Sequence, residues 1–171
     1  MDYYKKYINY KEKYLTLKKD ISMLGGNLKN IKVVSNKKLK ENYDSYDCDI
    51  CTELIMYHAT SKTAAESILS NGFDLRYTKR GAFGRGINLT TDFNHLKHYF
   101  NEETNYVVVS LVKFNKKLEN TSGPEMLDEY TTKPRYDFPL EGIDALYAKG
   151  PEIYVIPNSE QVYPIYIGEI I

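Results

Sequence analysis

The chain opens with apolar or aromatic residues at Tyr3, Tyr7, Tyr10, Tyr14, Leu17, Ile21 and Leu24, in steps that alternate four and three. This heptad seam predicts an amphipathic helix that stops at Gly25-Gly26 and carries lysines on its other faces. Such a helix either docks on its own domain or seats against a partner helix. From Asn27 to about Asp49 the sequence is polar, Lys-rich and then Tyr/Asp-rich, with one apolar step at Ile31, Val33 and Val34, and it reads as a linker. Beyond it the pattern tightens. Leu54 to Tyr57 predicts a short strand, and Thr63-Ala-Ala-Glu66 reads as a capping box opening a helix that buries Ala65, Ile68 and Leu69 and closes at Asn71-Gly72. A loop with Gly81, Gly84 and Gly86 leads to a strand at Ile87 to Thr90, then to a helix over Phe93 to Phe100 with Asp92 as N-cap. Four further strands are predicted at Tyr106 to Phe114, Ala145 to Ala148, Glu152 to Ile156 and Val162 to Ile170.

These elements describe an α+β protein, with few helices on a mostly antiparallel β core. The 171 residues suffice for one domain, since domains run to about 100 to 200 residues. The division expected is a basic helix at 1–26, a linker at 27–50 and the domain proper at 51–171.

Charge sharpens that division. The whole chain is neutral, yet residues 1–42 hold eleven Lys against four acids, net +7, and the remainder is net −7. A basic arm on an acidic body implies different partners for the two: a helix or an acidic partner for 1–26, and no nucleic acid for the body. No apolar run approaches the roughly 20 residues that cross a bilayer, so no membrane partner is expected. Two cysteines, Cys48 and Cys51, without a secretory signal point to an intracellular, reducing setting, not to a disulfide scaffold. Their C-x-x-C spacing is too poor in ligands for zinc, with only His58, His95 and His98 as histidines, so no metal is expected and the pair reads as two small residues at the domain edge.

The chemistry is narrowed by what is missing. The glycines of GAFGRG do not follow the dinucleotide fingerprint G-x-G-x-x-G, and no Lys-Ser/Thr follows as in a P-loop. Neither G-x-S-x-G nor a local cysteine nucleophile context occurs. What stands out is an ordered set of blocks: Tyr57-His58-Ala59-Thr60, Ile68 to Phe73, Phe83 to Asp92, Tyr99, Gly142 to Leu146, Glu152 to Ile156 and Gln161 to Ile167. From about Leu54 onward this set resembles the catalytic domain of the poly(ADP-ribose) polymerases, ADP-ribosyltransferases of the diphtheria-toxin type. The Tyr- and Lys-rich leader ending in Gly-Gly is similar to leaders of giant DNA virus proteins, which would place the protein in host cytoplasm or a virion.

The resemblance implies a split β-structure of two antiparallel sheets gripping NAD, and transfer of ADP-ribose with release of nicotinamide. It implies that His58 hydrogen-bonds the adenosine ribose, with Thr60 at the same sugar, and that the backbone of Ala59, where the family has Gly, binds the nicotinamide carboxamide. Tyr99 would stack on nicotinamide, Arg76 would reach the adenine or pyrophosphate, and Gly86 would let the glycine loop approach the ligand. Asn88 stands where the family places a second tyrosine, so one wall of the pocket exchanges a ring for an amide. The family's catalytic glutamate precedes Gln-x-Tyr-Pro by eight residues, a count that falls on Ile153, one residue after Glu152. Strand side chains alternate, so only one of the two enters the cleft.

The expected function is NAD-dependent ADP-ribosyl transfer, mono rather than poly, to a protein acceptor, with Glu152 as the catalytic carboxylate beside His58 and Asn88. If Ile153 fills the slot, elongation is excluded and a catalytically silent NAD or ADP-ribose binding module gains on the enzyme. A transferase acting on nucleic-acid phosphate ends ranks last, because the only arginines are Arg76, Arg80, Arg85 and Arg135.

Overall fold

A computed structural model describes residues 28–48, 51–78, 86–120, 142–149 and 152–171. The helix expected over 1–26, together with Arg80, Gly81, Gly84, Arg85 and Arg135, lies outside the described residues. The chain order is β1 (Leu28–Val33), α1 (Lys37–Ser45), β2 (Thr52–Thr60), α2 (Lys62–Asn71), β3 (Ile87–Thr90), β4 (Tyr106–Phe114), β5 (Lys117–Asn120), β6 (Ala145–Ala148), β7 (Ile153–Ile156) and β8 (Val162–Ile170). One sheet runs β1-β8-β4-β2-β3-β7-β6-β5, antiparallel throughout except for the parallel pair β5–β6.

That sheet is nearly cut in two. β2 pairs with β4 along its whole length, Thr52 to Thr60 against Phe114 to Tyr106, but with β3 only at Tyr57–Thr90. The halves β1-β8-β4-β2 and β3-β7-β6-β5 therefore splay apart beyond Tyr57, as a split β-structure requires. The two faces of β2 bury different neighbours because side chains alternate. Met56 packs with Ile87, Leu89, Phe114 and Ile156. Tyr57 packs with Phe93, Leu96, Val109 and Tyr166. α2 closes a third cluster, laying Ala65 on Tyr106, Val108 and Ile167.

Four expectations are corrected here. The region 27–50 is not a linker: β1 pairs with β8 from Leu28–Ile170 to Val33–Tyr166, and α1 buries Tyr43 against Tyr163, with ring centroids 5.9 Å apart. Only Leu28 of β1 is buried, and an edge strand with a single core residue has little apolar pattern to reveal it. α2 is capped by Ser61, which accepts from Ala64 N–H at 3.3 Å, and Glu66 of the expected capping box instead pairs with Lys32. Cys48 and Cys51, read as unpaired, are joined in a disulfide. The helix expected over Phe93 to Phe100 is a 3₁₀ turn at His95–Tyr99, with Asp92 accepting from Asn94 N–H at 2.8 Å just ahead of it.

Candidate functional site

The splay between β2 and β3 opens a two-lobed cleft. Odd residues of β2 border one lobe, of about 350 Å³, where Tyr57 and Ala59 meet Thr90, His95, Tyr99 and Ile153. Even residues border the other, of about 640 Å³, where Thr60 meets Ser61, Phe73, Tyr77 and Gly86. His58 and Asn88 line both lobes and mark their junction.

His58 is fixed where the backbone ladder has stopped. Its Nδ1 lies 2.8 Å from the carbonyl oxygen of Asn88. A carbonyl only accepts, so Nδ1 carries the proton and Nε2 keeps its lone pair while the ring is neutral. The ring meets Phe73 edge-on at 5.4 Å. Burial pushes the imidazole below its ordinary value, against a smaller opposing effect of the Asn88 bond, so the neutral, accepting form prevails at neutral pH. The Asn88 side chain is exposed between the lobes.

Gly86 is required by packing on the far side. A Cβ there would come 2.6 Å from Cγ1 of Val155 and 2.8 Å from the backbone oxygen of Ile156. Glycine thus lets the backbone at residue 86 come close against β7, where it borders the second lobe. Tyr99 stands in the first lobe, 45% exposed, with its ring tilted against that of His95 at 5.6 Å.

Two expected site residues are not in the cleft. Glu152 sits just before β7 with φ 51°, exposed, and lines neither lobe. The pairing of Ile153 with Thr90 on one side and Ala148 on the other sets the register that turns Ile153 into the first lobe. Of Glu152 and Ile153, the one that borders the first lobe is therefore Ile153, an alkyl chain, on the same cavity wall as His58 and Asn88. Arg76 likewise stays out. Its guanidinium closes on Asp74 at 2.6 Å and borders a neighbouring cavity of about 660 Å³, so its charge is already matched. Asp74 in turn is held below the usual carboxylate range by that guanidinium.

The sequence reading missed His95, Thr104, Phe73 and Tyr77 as cleft residues. His95 precedes Tyr99 by four residues, a spacing that shares a face on a helical turn and could have revealed it. Among the described residues no helix is long and apolar enough to cross a membrane, and no three His, Cys, Asp or Glu side chains cluster as metal ligands would. The family model of the poly(ADP-ribose) polymerase catalytic domain matches residues 3–135, a span that takes in His58, Asn88 and Tyr99 and ends before β6, β7 and β8.

Proposed function

This chain belongs to the poly(ADP-ribose) polymerase catalytic-domain family, and we propose that it binds NAD across the two lobes and transfers single ADP-ribosyl units to a protein acceptor. NAD is the substrate. Nicotinamide occupies the lobe of Tyr99 and Ile153, and the adenosine end occupies the lobe of Thr60, Ser61 and Phe73. His58 at the junction accepts a ribose hydroxyl through Nε2, and Tyr99 stacks on the nicotinamide ring.

Cleavage breaks the bond between ribose C1′ and the nicotinamide nitrogen. Nicotinamide leaves neutral and positive charge develops on the sugar, so negative charge nearby lowers the barrier. With Ile153 in the slot the chain supplies none there. The charge must come with the acceptor, and an Asp or Glu side chain meets that need while forming the new bond to C1′. An acceptor used this way is consumed once, and no carboxylate remains to activate a ribose hydroxyl for a second addition. The orientation of Ile153 is the observation that carries the single-unit reading. The basic segment 1–26, six Lys against three acids, recruits an acidic partner or substrate to the net-negative remainder.

Ile153 also favours a second reading, a silent NAD or ADP-ribose binding module. One experiment separates them. The full chain is incubated with adenylate-labelled NAD and candidate protein acceptors, following nicotinamide release and the size of labelled products. Release with a single discrete addition supports transfer, a ladder of long products overturns the single-unit reading, and NAD binding without release establishes the module.

A further inference from the structure

We infer that His95 is the side-chain partner of the nicotinamide carboxamide in the first lobe. The inference rests on the NAD reading above and deepens it.

The polar side chains around this lobe differ in what they already hold. Thr90 Oγ1 accepts from Asp92 N–H at 3.1 Å, Thr104 Oγ1 donates to Asn101 Oδ1 at 2.8 Å, and His58 Nδ1 is tied to Asn88. His95 differs. Its ring borders the lobe, yet its Nε2 is closed off from bulk solvent and has no hydrogen-bond partner among the described residues. The rings of Tyr99 and His98 flank it, each with its centroid 5.6 Å away. An enclosed imidazole nitrogen without a partner is costly, and in a functional cleft it points to a group that arrives with the ligand.

Tyr99 identifies that group. A pyridine ring stacked on Tyr99 brings its substituent beside the imidazole that flanks the tyrosine. A primary carboxamide offers both a carbonyl acceptor and an N–H donor, so it can satisfy Nε2 in either neutral tautomer. The neighbouring wall residue Leu96 is buried and apolar and offers no competing contact.

The test uses calorimetry on the full chain with nicotinamide, NAD and ADP-ribose, which lacks the nicotinamide. Losing one enclosed hydrogen bond corresponds to roughly tenfold in affinity. His95→Leu should weaken nicotinamide and NAD about tenfold and leave ADP-ribose affinity unchanged. His95→Gln, which keeps a donor and an acceptor, should recover most of the loss. Unchanged nicotinamide affinity in His95→Leu, with ADP-ribose still bound, overturns the inference. The wild-type chain gives a reading that does not depend on a variant folding: in side-chain ¹⁵N spectra, saturating nicotinamide should shift the Nε2 resonance of His95, one of only three histidines. An unmoved resonance at saturation, with ADP-ribose bound, overturns the inference alone. A wild-type chain that binds neither NAD nor ADP-ribose overturns the NAD reading and this inference with it.

Discussion

His58 Nδ1–H donates to the backbone carbonyl of Asn88 across 2.8 Å, and this side-chain bond stands where β2 and β3 no longer pair. One contact therefore ties the two strands at the edge of the cleft, fixes the imidazole tautomer and holds Asn88 at the junction of the two lobes. Any ligand that crosses the junction touches both residues.

The His58 ring links this geometry to pH. Its folded pKa is lowered by burial, so the unfolded chain binds the proton more readily. Stability should be flat above the ordinary imidazole value of about 6.5 and fall as pH drops from there toward the folded value. NAD affinity should be lost lower still, once His58 protonates in the folded state and Nε2 can no longer accept. Thermal melts and NAD titrations between pH 8 and pH 4 check this, with His58→Gln expected to lose the His58 part of the acid limb. An acid limb that is the same in both proteins would assign it to other groups.

Tyr99 should matter to binding and little to folding. Nearly half exposed, it contributes modest packing, while stacking on a flat aromatic base is worth roughly 1 to 3 kcal/mol. Tyr99→Ala should weaken NAD about ten- to hundredfold in calorimetry and leave the melting temperature within a few degrees of wild type. A large fall in stability with unchanged affinity would move the nicotinamide elsewhere.

Much of this arrangement is legible in the sequence, for physical reasons that vary along the chain. Val107, Val108 and Val109 are all fully buried, so β4 announces itself by β-branched density alone. β1 and α1 are nearly silent, because one exposes every residue after Leu28 and the other buries only Tyr43. His58 and Tyr99 could be placed by the order of the motif blocks. The choice between Glu152 and Ile153 could not, because the answer lies in the register of β7 against β3 and β6, which pairing sets and composition does not. His95 carries no motif, and its role rests on which nitrogen is enclosed, a property only coordinates supply.

The register makes opposite claims about two neighbours. Glu152 is exposed and held at φ 51°, a left-handed conformation that costs a non-glycine residue roughly 1 to 2 kcal/mol. Glu152→Gly should therefore leave turnover unchanged and raise stability by about 1 kcal/mol or less, the glycine's own entropy offsetting part of the relief. Ile153→Glu should return a carboxylate to the slot, raising nicotinamide release about tenfold or more if the cleft is otherwise assembled. Both are read from unfolding curves and NAD consumption. Turnover that depends on Glu152 and ignores residue 153 would reverse the register.

The first segment of the sheet gives the last test, because the chain from Leu28 to Tyr46 reads as a linker in sequence and is built into the body in structure. Leu28 is buried beside Gly168, where a Cβ would come within 3.3 Å of its Cδ1. Val34 N–H donates to Ile165 O at 2.8 Å, and Tyr46 Oη donates to Asp144 at 2.9 Å. Lys113 reaches from β4 to the Tyr46 carbonyl at 3.0 Å with its ammonium 4.7 Å from the Tyr43 ring centre. Removing residues 1–42 would strip β8 of an edge partner, leave Tyr43 at a free chain end without the helical turns that seat it, and expose the core side chains that Leu28 covers. Loss of one large buried aromatic alone costs roughly 3 to 5 kcal/mol, comparable to much of a small domain's stability of about 5 to 15 kcal/mol. The truncated chain should aggregate or unfold without cooperativity, and Tyr43→Ala in the full chain should lower the urea midpoint by an amount in that range once converted through the slope. A truncated body that stays soluble and melts as sharply as the full chain would show that β8 tolerates an open edge and that β1 and α1 only rest on it.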